Sequence, residues 1–378
     1  MKDIKDFNSE IIIESPGRIN LIGEHTDYNG GLVLPAAINR KIFLFFKKKD
    51  YSICKIKTLH YNKSFAVNLK KKITKSKSEW ENYIIGVIYN IKKIKKRKIK
   101  GFECIIDSDL PVGAGISSSS ALVCGITKGI NDLFDLKLSD SEIIEITKDV
   151  EHTFIGVKGG IMDQFTILKG EKNKLILLDC SSLKFKKIKA DFSPYKLLLL
   201  NTNVSHQLSS TSYNKRVKEC NRAYMKISKK YSNFKNLAQI PENIINNYKS
   251  HLSQDEYKRA LYVSQENNRV IKSAELINKS SFNEFGKLMY ESHEGLKKLY
   301  EVSCKELDYL VDFSKNFKEI IGSRMMGGGF GGCTINLIEE KFIDHYIKTI
   351  SKKYVEEFSN ELTPILCSIS DGIKTIKI

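Results

Sequence analysis

The sequence predicts an α+β fold carried by two domains. Its 378 residues are 41% hydrophobic and contain only six prolines, enough apolar material for two cores. Strand-like and helix-like segments alternate as far as about residue 200, with no internal repeat and no low-complexity linker. The pattern then turns mainly helical, until a glycine loop near residue 327 and the strand-like "CTINLI". That mixture favours α+β over a doubly wound parallel sheet.

Taken in order, "KIFLFFKK" from Lys41 and "FECIID" from Phe102 read as strands by their β-branched and aromatic content. "SDSEIIEITKDVEHTF" reads as a helix. Ser139 and Glu142 are spaced as a capping box, and Ile143, Ile146, Val150 and Phe154 share one face. "KLILLDCSSL" and "YKLLLLNT" follow, and a domain change falls between residues 180 and 195, giving an N-terminal unit of 1–190 and a C-terminal unit of 191–378.

Composition removes several classes of function. No apolar run approaches the roughly 20 residues of a membrane helix, and "MKDIKDFNSE" lacks the apolar stretch of a signal peptide, so a cytoplasmic protein is expected. The eight cysteines form no CxxC pair and lie mostly in apolar segments, as small buried hydrophobes of a reducing compartment do. The net charge of +18 raises a nucleic-acid partner, because clustered cations neutralise phosphates. Lysine is spread along the whole chain, however, and the densest run, "IKKIKKRKIK" from Ile91 to Lys100, reads as the solvated end of a helix.

Four segments carry chemistry. "ESPGRINLIGEHTDYNGGLVLP" gathers Arg18, Glu24, His25 and Asp27 between glycines and apolar residues. "LPVGAGISSSSALVCGITKGI" is a glycine-rich turn feeding a helix N-terminus, where free N–H groups and the helix dipole attract an anion. Serines 117 to 120 go beyond what an N-cap requires and point to phosphate, without the GK[ST] of a Walker loop. "SRMMGGGFGGCTINLI" matches GxGxxG from Gly327 to Gly332, but a strand follows where a dinucleotide fingerprint needs a helix. A tight turn, or a loop closing over a nucleotide, remains for it. In "EHTFIGVKGGIMDQF", Asp163 stands among apolar residues and Glu151 at the edge of an apolar face, so each carboxylate needs a partner or a task.

"GRINLIGEHTDYNGG", "LPVGAGISSSSAL", "GGIMDQF" and "MMGGGFGG", in that order, resemble the galactokinases of the GHMP small-molecule kinase superfamily. "SEWENYIIGV", "SSTSYNKRVKEC" and "ESHEGLKKLYEVSCKELDYLV" extend the resemblance over most of the chain. It implies an N-terminal domain like ribosomal protein S5 domain 2, a ferredoxin-like α+β C-terminal domain, and an active site between them. The implied reaction carries the γ-phosphoryl group of ATP to the anomeric hydroxyl of galactose, with Mg2+, in galactose catabolism.

The resemblance also distributes roles. Glu24, His25, Thr26, Asp27, Gly160 and Tyr213 would bind the sugar. Gly113, Ala114, Gly115, Ile116, Ser117, Ser118 and Ser119 would wrap the ATP phosphates, with Trp80 and Tyr83 near the adenine. Ser119 and Glu151 match the magnesium ligands, Asp163 the proposed base and Arg18 the transition-state stabiliser. Ile116, Ser120, Val217 and Gly159 depart from the usual pattern at a leucine, an alanine, an arginine and a cysteine respectively. The expected partners are galactose and ATP, with no nucleic acid, no membrane and a monomeric state. Two alternatives accompany this reading: a kinase for a related sugar such as N-acetylgalactosamine, and a non-catalytic galactose- and ATP-binding sensor. The full-length "GISSSSAL" favours catalysis, since the resembling sensors have a damaged serine loop.

Overall fold

Alternation along Pro35–Lys48 sets the first sheet: Ile42, Leu44 and Phe46 are buried, while Phe43 and Phe45 take the other face. The computed structural model describes residues 4, 6–94, 99–111, 113–205 and 209–378. Six strands make this sheet, in the order Lys374–Lys377, Ile11–Asn20, Pro35–Lys48, Phe102–Ser108, Ile53–Thr58 and Lys63–Asn68. The pairing between Ile53–Thr58 and Phe102–Ser108 is parallel and the rest is antiparallel. A small three-stranded sheet, Leu32–Val33, Lys174–Asp179 and Phe185–Lys189, lies beside it.

The helix Ser118–Leu133 crosses strands Ile11–Asn20 and Pro35–Lys48. Glycine inside a helix costs roughly 0.5–1 kcal/mol relative to alanine. Here it permits close approach, because a Cβ at Gly129 would stand 2.1 Å from the Phe46 ring. At the other end of the helix the Ala121 carbonyl accepts from Ser15 Oγ at 2.7 Å, which ties the serine-bearing turn to the strand that carries Arg18. Each fully buried Ile, Leu or Phe at such a contact stabilises by roughly 1.5–3 kcal/mol.

The run "LLLL" has a different cause. Strand Tyr195–Ser205 lies inside a second, antiparallel sheet, in the order Ile320–Met326, Gly331–Glu339, Tyr195–Ser205 and Thr363–Cys367. Leu197 and Leu199 join the core beneath the first sheet, while Leu198 and Leu200 pack with Tyr346 and Tyr354. Burial on both faces requires apolar residues at every position. A third apolar cluster, including Cys220, Tyr262 and Tyr300, joins helices Ser209–Ser228 and Gln254–Asn278.

The expected α+β class holds, with mostly antiparallel sheets and the helices of the C-terminal half grouped together. The capping box is present: Ser139 Oγ accepts from the Glu142 amide, and Glu142 accepts from the Ser139 amide. Its helix, Asp140–Asp149, continues as a π-helical turn over Val150–Ile155 that carries Glu151. The GxGxxG stretch is a hairpin between Ile320–Met326 and Gly331–Glu339, as the strand-like sequence after it requires. Of the basic run, residues 95–98 lie outside the described residues, and the helix Glu79–Ile94 carries Lys92 and Lys93 in its last turn. Among the described residues no helix is long and apolar enough to cross a membrane. All eight cysteines are free.

Candidate active site

A cavity of about 190 Å³ opens where three of the singled-out segments meet a fourth, with Arg18, Asp27, Glu151, Asp163 and Gly328 on its walls. Strand Ile11–Asn20 delivers Arg18, and the first turn of helix Ser118–Leu133 delivers Ser119 and Ser120. Helix Met162–Lys169 delivers Asp163, and helix Ser209–Ser228 delivers Tyr213.

Arg18 is buried and grips Asp163 with two prongs, Nε to Oδ1 at 2.7 Å and Nη2 to Oδ2 at 3.0 Å. Its Nη1 donates to the Gly115 carbonyl at 2.7 Å. Burial disfavours the guanidinium charge, but Asp163, Glu24 and Asp27 more than offset this and its pKa is raised. Ser117, just ahead of the helix, makes no side-chain cap; its hydroxyl donates to Asp163 Oδ2 instead. The serine-rich turn and the acid are therefore one structure. Ala114 and Ile116 are buried in the core, so that turn offers its backbone rather than these side chains.

The loop after Gly23 is fastened from the other half of the chain. Glu24 is buried, and its Oε1 accepts from Arg324 Nη2 at 3.0 Å and from the Gly327 amide at 2.9 Å. No hydrogen bond engages Oε2 among the described residues. His25 adopts φ +62°, an uncommon conformation for a residue other than glycine and one that occurs at functional sites. Burial, with Arg216 nearby, lowers its pKa to about 3, so the ring is neutral. Asp27 lies against Gly160, where a Cβ would stand 2.1 Å from Oδ2. Only glycine lets the carboxylate sit there. Burial first, and Asp163 second, push the Asp27 pKa up to about 7.

Thr26 does not line the cavity. It is fully buried, and its hydroxyl donates to the carbonyls of Gly23 and Leu32 at 2.8 and 2.7 Å, which closes the loop. Trp80 is also off the wall. Its ring packs edge-on against Phe65 at 5.1 Å, whereas Tyr83 on the same helix reaches the cavity beside Ser119.

Glu151 accepts from Ser120 Oγ at 2.8 Å. Burial and then Asp163 push its pKa up to about 7. Ser119 and Glu151 share the same wall and offer only oxygen, the donor set that a hard divalent cation takes while keeping waters. Among the described residues no group of three His, Cys, Asp or Glu side chains makes a closed metal cage. A cation here would complete its shell with water and substrate oxygens.

Residues 4–48 match the family described as the galactokinase galactose-binding signature, 82–171 the GHMP kinases N terminal domain, and 273–343 the GHMP kinases C terminal. The chain is 37% identical to the galactokinase of Clostridium acetobutylicum over 99% of its own length and 97% of that protein's. The galactokinase of Thermosipho africanus is also 37% identical, over 97% of this chain and 99% of its own. The chain belongs to the galactokinase family. The crystal structure of Lactococcus lactis galactokinase complexed with galactose superimposes with a TM-score of 0.93 at 31% identity, covering 100% of this chain and 98% of that one. Methanococcus jannaschii mevalonate kinase shares the fold at a TM-score of 0.69 and 24% identity, covering 96% and 99%.

Within this galactokinase-family site, sequence reasoning missed several side chains. Arg324 is fully buried and also donates to the carbonyls of Leu21 and Asn20, tying the second sheet to the sugar-loop segment. It stands in the quoted "SRMMGGGF", where an arginine before a glycine loop was its only signal. Tyr28 and Tyr300 line up behind His25 with no local signal at all. Val217, expected to remove a charge, is buried beside Arg216, which donates to the Tyr300 and Glu301 carbonyls at 2.7 and 2.8 Å.

Proposed function

We propose that the chain is a galactokinase, transferring the γ-phosphoryl group of ATP to the C1 hydroxyl of galactose and yielding galactose 1-phosphate and ADP. The observation that carries this reading is the shared carboxylate: Asp163 is held at once by Arg18 and by Ser117 of the serine turn, in a cavity that Glu24, His25 and Asp27 also line. A sugar hydroxyl at Asp163 lies where a phosphate on the serine turn can meet it.

An ionised carboxylate has about four lone-pair sites. Arg18 takes two and Ser117 one, which leaves about one for the attacking hydroxyl. In this reading Asp163 orients that hydroxyl and accepts its proton, while Arg18 offsets charge on the transferring group. Glu24 and Asp27 accept from vicinal hydroxyls, and an epimer with one hydroxyl misplaced leaves a buried acceptor unpaired. Backbone N–H groups at the start of helix Ser118–Leu133 receive the phosphates. Ser119 and Glu151 would hold Mg2+, which when bound draws charge from the phosphoryl oxygens.

The deciding experiment measures ADP release by the purified protein with a panel of sugars. Galactose is expected to be the preferred acceptor. Turnover with N-acetylgalactosamine or arabinose but not galactose overturns the substrate, and galactose binding without turnover makes the protein a sensor.

A further inference from the structure

Behind His25 runs a row of side chains that the transfer reaction leaves unused. His25 Nδ1 is 2.9 Å from the Tyr28 hydroxyl, that hydroxyl is 2.7 Å from the Tyr300 hydroxyl, and Tyr300 is 3.1 Å from Cys220 Sγ. Cys220 and Tyr300 are buried, and Tyr28 is partly buried between them and His25. The His25 ring is also walled by Tyr300 and Tyr213, at centroid distances of 4.7 and 5.4 Å. Its other nitrogen, Nε2, is buried and makes no hydrogen bond of ordinary geometry, and the Gly328 backbone beside the ring is placed to accept from it.

We propose that Tyr28, Tyr300 and Cys220 are positioning residues that set the tautomer of His25, so that Nε2 carries the proton and donates to a sugar oxygen beside Glu24 and Asp27. A neutral imidazole has one donor and one acceptor nitrogen, and each hydroxyl in the row both donates and accepts. The direction of the whole row therefore follows from its ends. The imidazole nitrogen is the strongest base in the row, so the Tyr28 hydroxyl donates to Nδ1. Tyr300 then donates to Tyr28, and the Cys220 thiol, a weak donor, donates to Tyr300. The proton left on the ring sits on Nε2. Such chains polarise one another when buried, which strengthens the choice.

The functional consequence is selectivity of a second kind. Ionised Glu24 offers only acceptors, and the Asp27 carboxyl can accept or donate according to its protonation, so a hydroxyl can satisfy either by rotating its proton. A fixed donor adds a demand for an oxygen lone pair at one position, and that demand is set through Tyr28 by Tyr300, 272 positions further along the chain.

The choice of ligand rests on the galactokinase reading, but the tautomer does not, so the two are tested separately. Protein labelled with isotopic nitrogen in histidine, without ligands, is measured at neutral pH by long-range proton–nitrogen correlation, with His25 assigned through His25→Gln. The expected spectrum shows the Nε2–H tautomer in the wild type and a shift toward Nδ1–H in Tyr28→Phe. Wild-type protein with the proton on Nδ1 overturns the proposal, whatever the substrate. In steady-state assays Tyr28→Phe is expected to raise the galactose KM about tenfold, the equivalent of one hydrogen bond, with the ATP KM unchanged. Tyr300→Phe, a second variant should Tyr28→Phe not fold, is expected to move both readings in the same direction by less. Tyr28→Phe with the wild-type tautomer and an unchanged KM overturns the row as a device.

Discussion

Arg18 and Asp163 are 145 residues apart in sequence and meet in a two-pronged ion pair, 2.7 and 3.0 Å long, at the floor of the cavity. Arg18 and Ser117 already engage this carboxylate through three hydrogen bonds, so the sugar hydroxyl must share it with them. The carboxylate's first contribution is to geometry and field, its second to proton transfer. Asp163→Asn is expected to lower kcat by about 10²–10⁴, the usual worth of a general base. Galactose affinity measured by calorimetry should change far less. A near-wild-type kcat in Asp163→Asn would refute the base.

Arg18→Ala tests the other half of the pair. The substitution leaves Asp163 with Ser117 alone and removes the cation proposed to offset charge on the transferring group. Activity should fall by at least a hundredfold, as it does when one preorganised donor to developing charge is lost. Arg18→Lys keeps the charge without the two-pronged geometry and should recover only a small part of it. Full recovery by lysine would mean that charge alone suffices.

Arg324→Ala should act on the sugar and not on the nucleotide. Arg324 is fully buried, and removing it strands the buried Glu24 carboxylate. Breaking a buried pair typically destabilises by about 3–5 kcal/mol, so the thermal midpoint should drop. Arg324→Lys is the milder variant for kinetics, expected to raise the galactose KM with little change in the ATP KM. Equal rises in both would place Arg324 in general stability and not in sugar binding.

How far the molecule was legible in its sequence follows the distance over which each signal acts. Ser139 and Glu142 are three residues apart, and the capping box was readable because a helix N-terminus is a local object. Arg18, Glu24, Asp27, Glu151 and Asp163 were readable because charged residues among apolar ones need an explanation. The bonds of Thr26 were not readable, because its hydroxyl has two carbonyls within its own loop and spacing cannot distinguish those from a ligand. The placement of Trp80 was not readable, because only packing sets its ring on Phe65. Strand Lys374–Lys377 returns to pair with Ile11–Asn20, a closure between the two ends of the chain that leaves no periodicity behind. The row behind His25 joins three helical or loop segments and is visible only in three dimensions.

Ser120→Ala probes a side chain that the family pattern gives as alanine. Ser120 is buried and donates to Glu151 at 2.8 Å, so its loss leaves Glu151 less well oriented and less willing to ionise. One hydrogen bond to a carboxylate is worth about 1.5–3 kcal/mol at most, so the Mg2+ concentration for half-maximal rate should rise about tenfold. Binding of Mn2+ to the nucleotide complex, followed by electron paramagnetic resonance, should weaken in step. The kcat at saturating metal should stay within about twofold, because the alanine fits the same space. A change confined to the galactose KM would sever Ser120 from the metal site.

The crowd of acids in the cavity makes the ligand-free protein pH-sensitive in a definable direction. Asp27 is raised from 3.8 to about 7, chiefly by burial and then by Asp163. Below its unfolded pKa the group is protonated in both states and costs nothing. As pH rises toward about 7 the unfolded chain ionises while the folded one resists, and stability is lost progressively until the folded carboxylate also ionises. His25, depressed to about 3 by burial, acts in the opposite sense: its neutral form is favourable above about 6.5 and costs stability as pH falls below that. Glu151, also raised to about 7, acts in the same sense as Asp27, so wild-type melting alone mixes all three. The difference in thermal midpoint between Asp27→Asn and wild type isolates the carboxylate, and it should grow from about pH 4 to about pH 7 in favour of the asparagine variant, then level off. A shift of about 2–4 °C for each kcal/mol is measurable by calorimetry in a domain of this size. A difference that stays flat across that window would mean that Asp27 titrates as an ordinary carboxylate and that the cavity does not resist its charge.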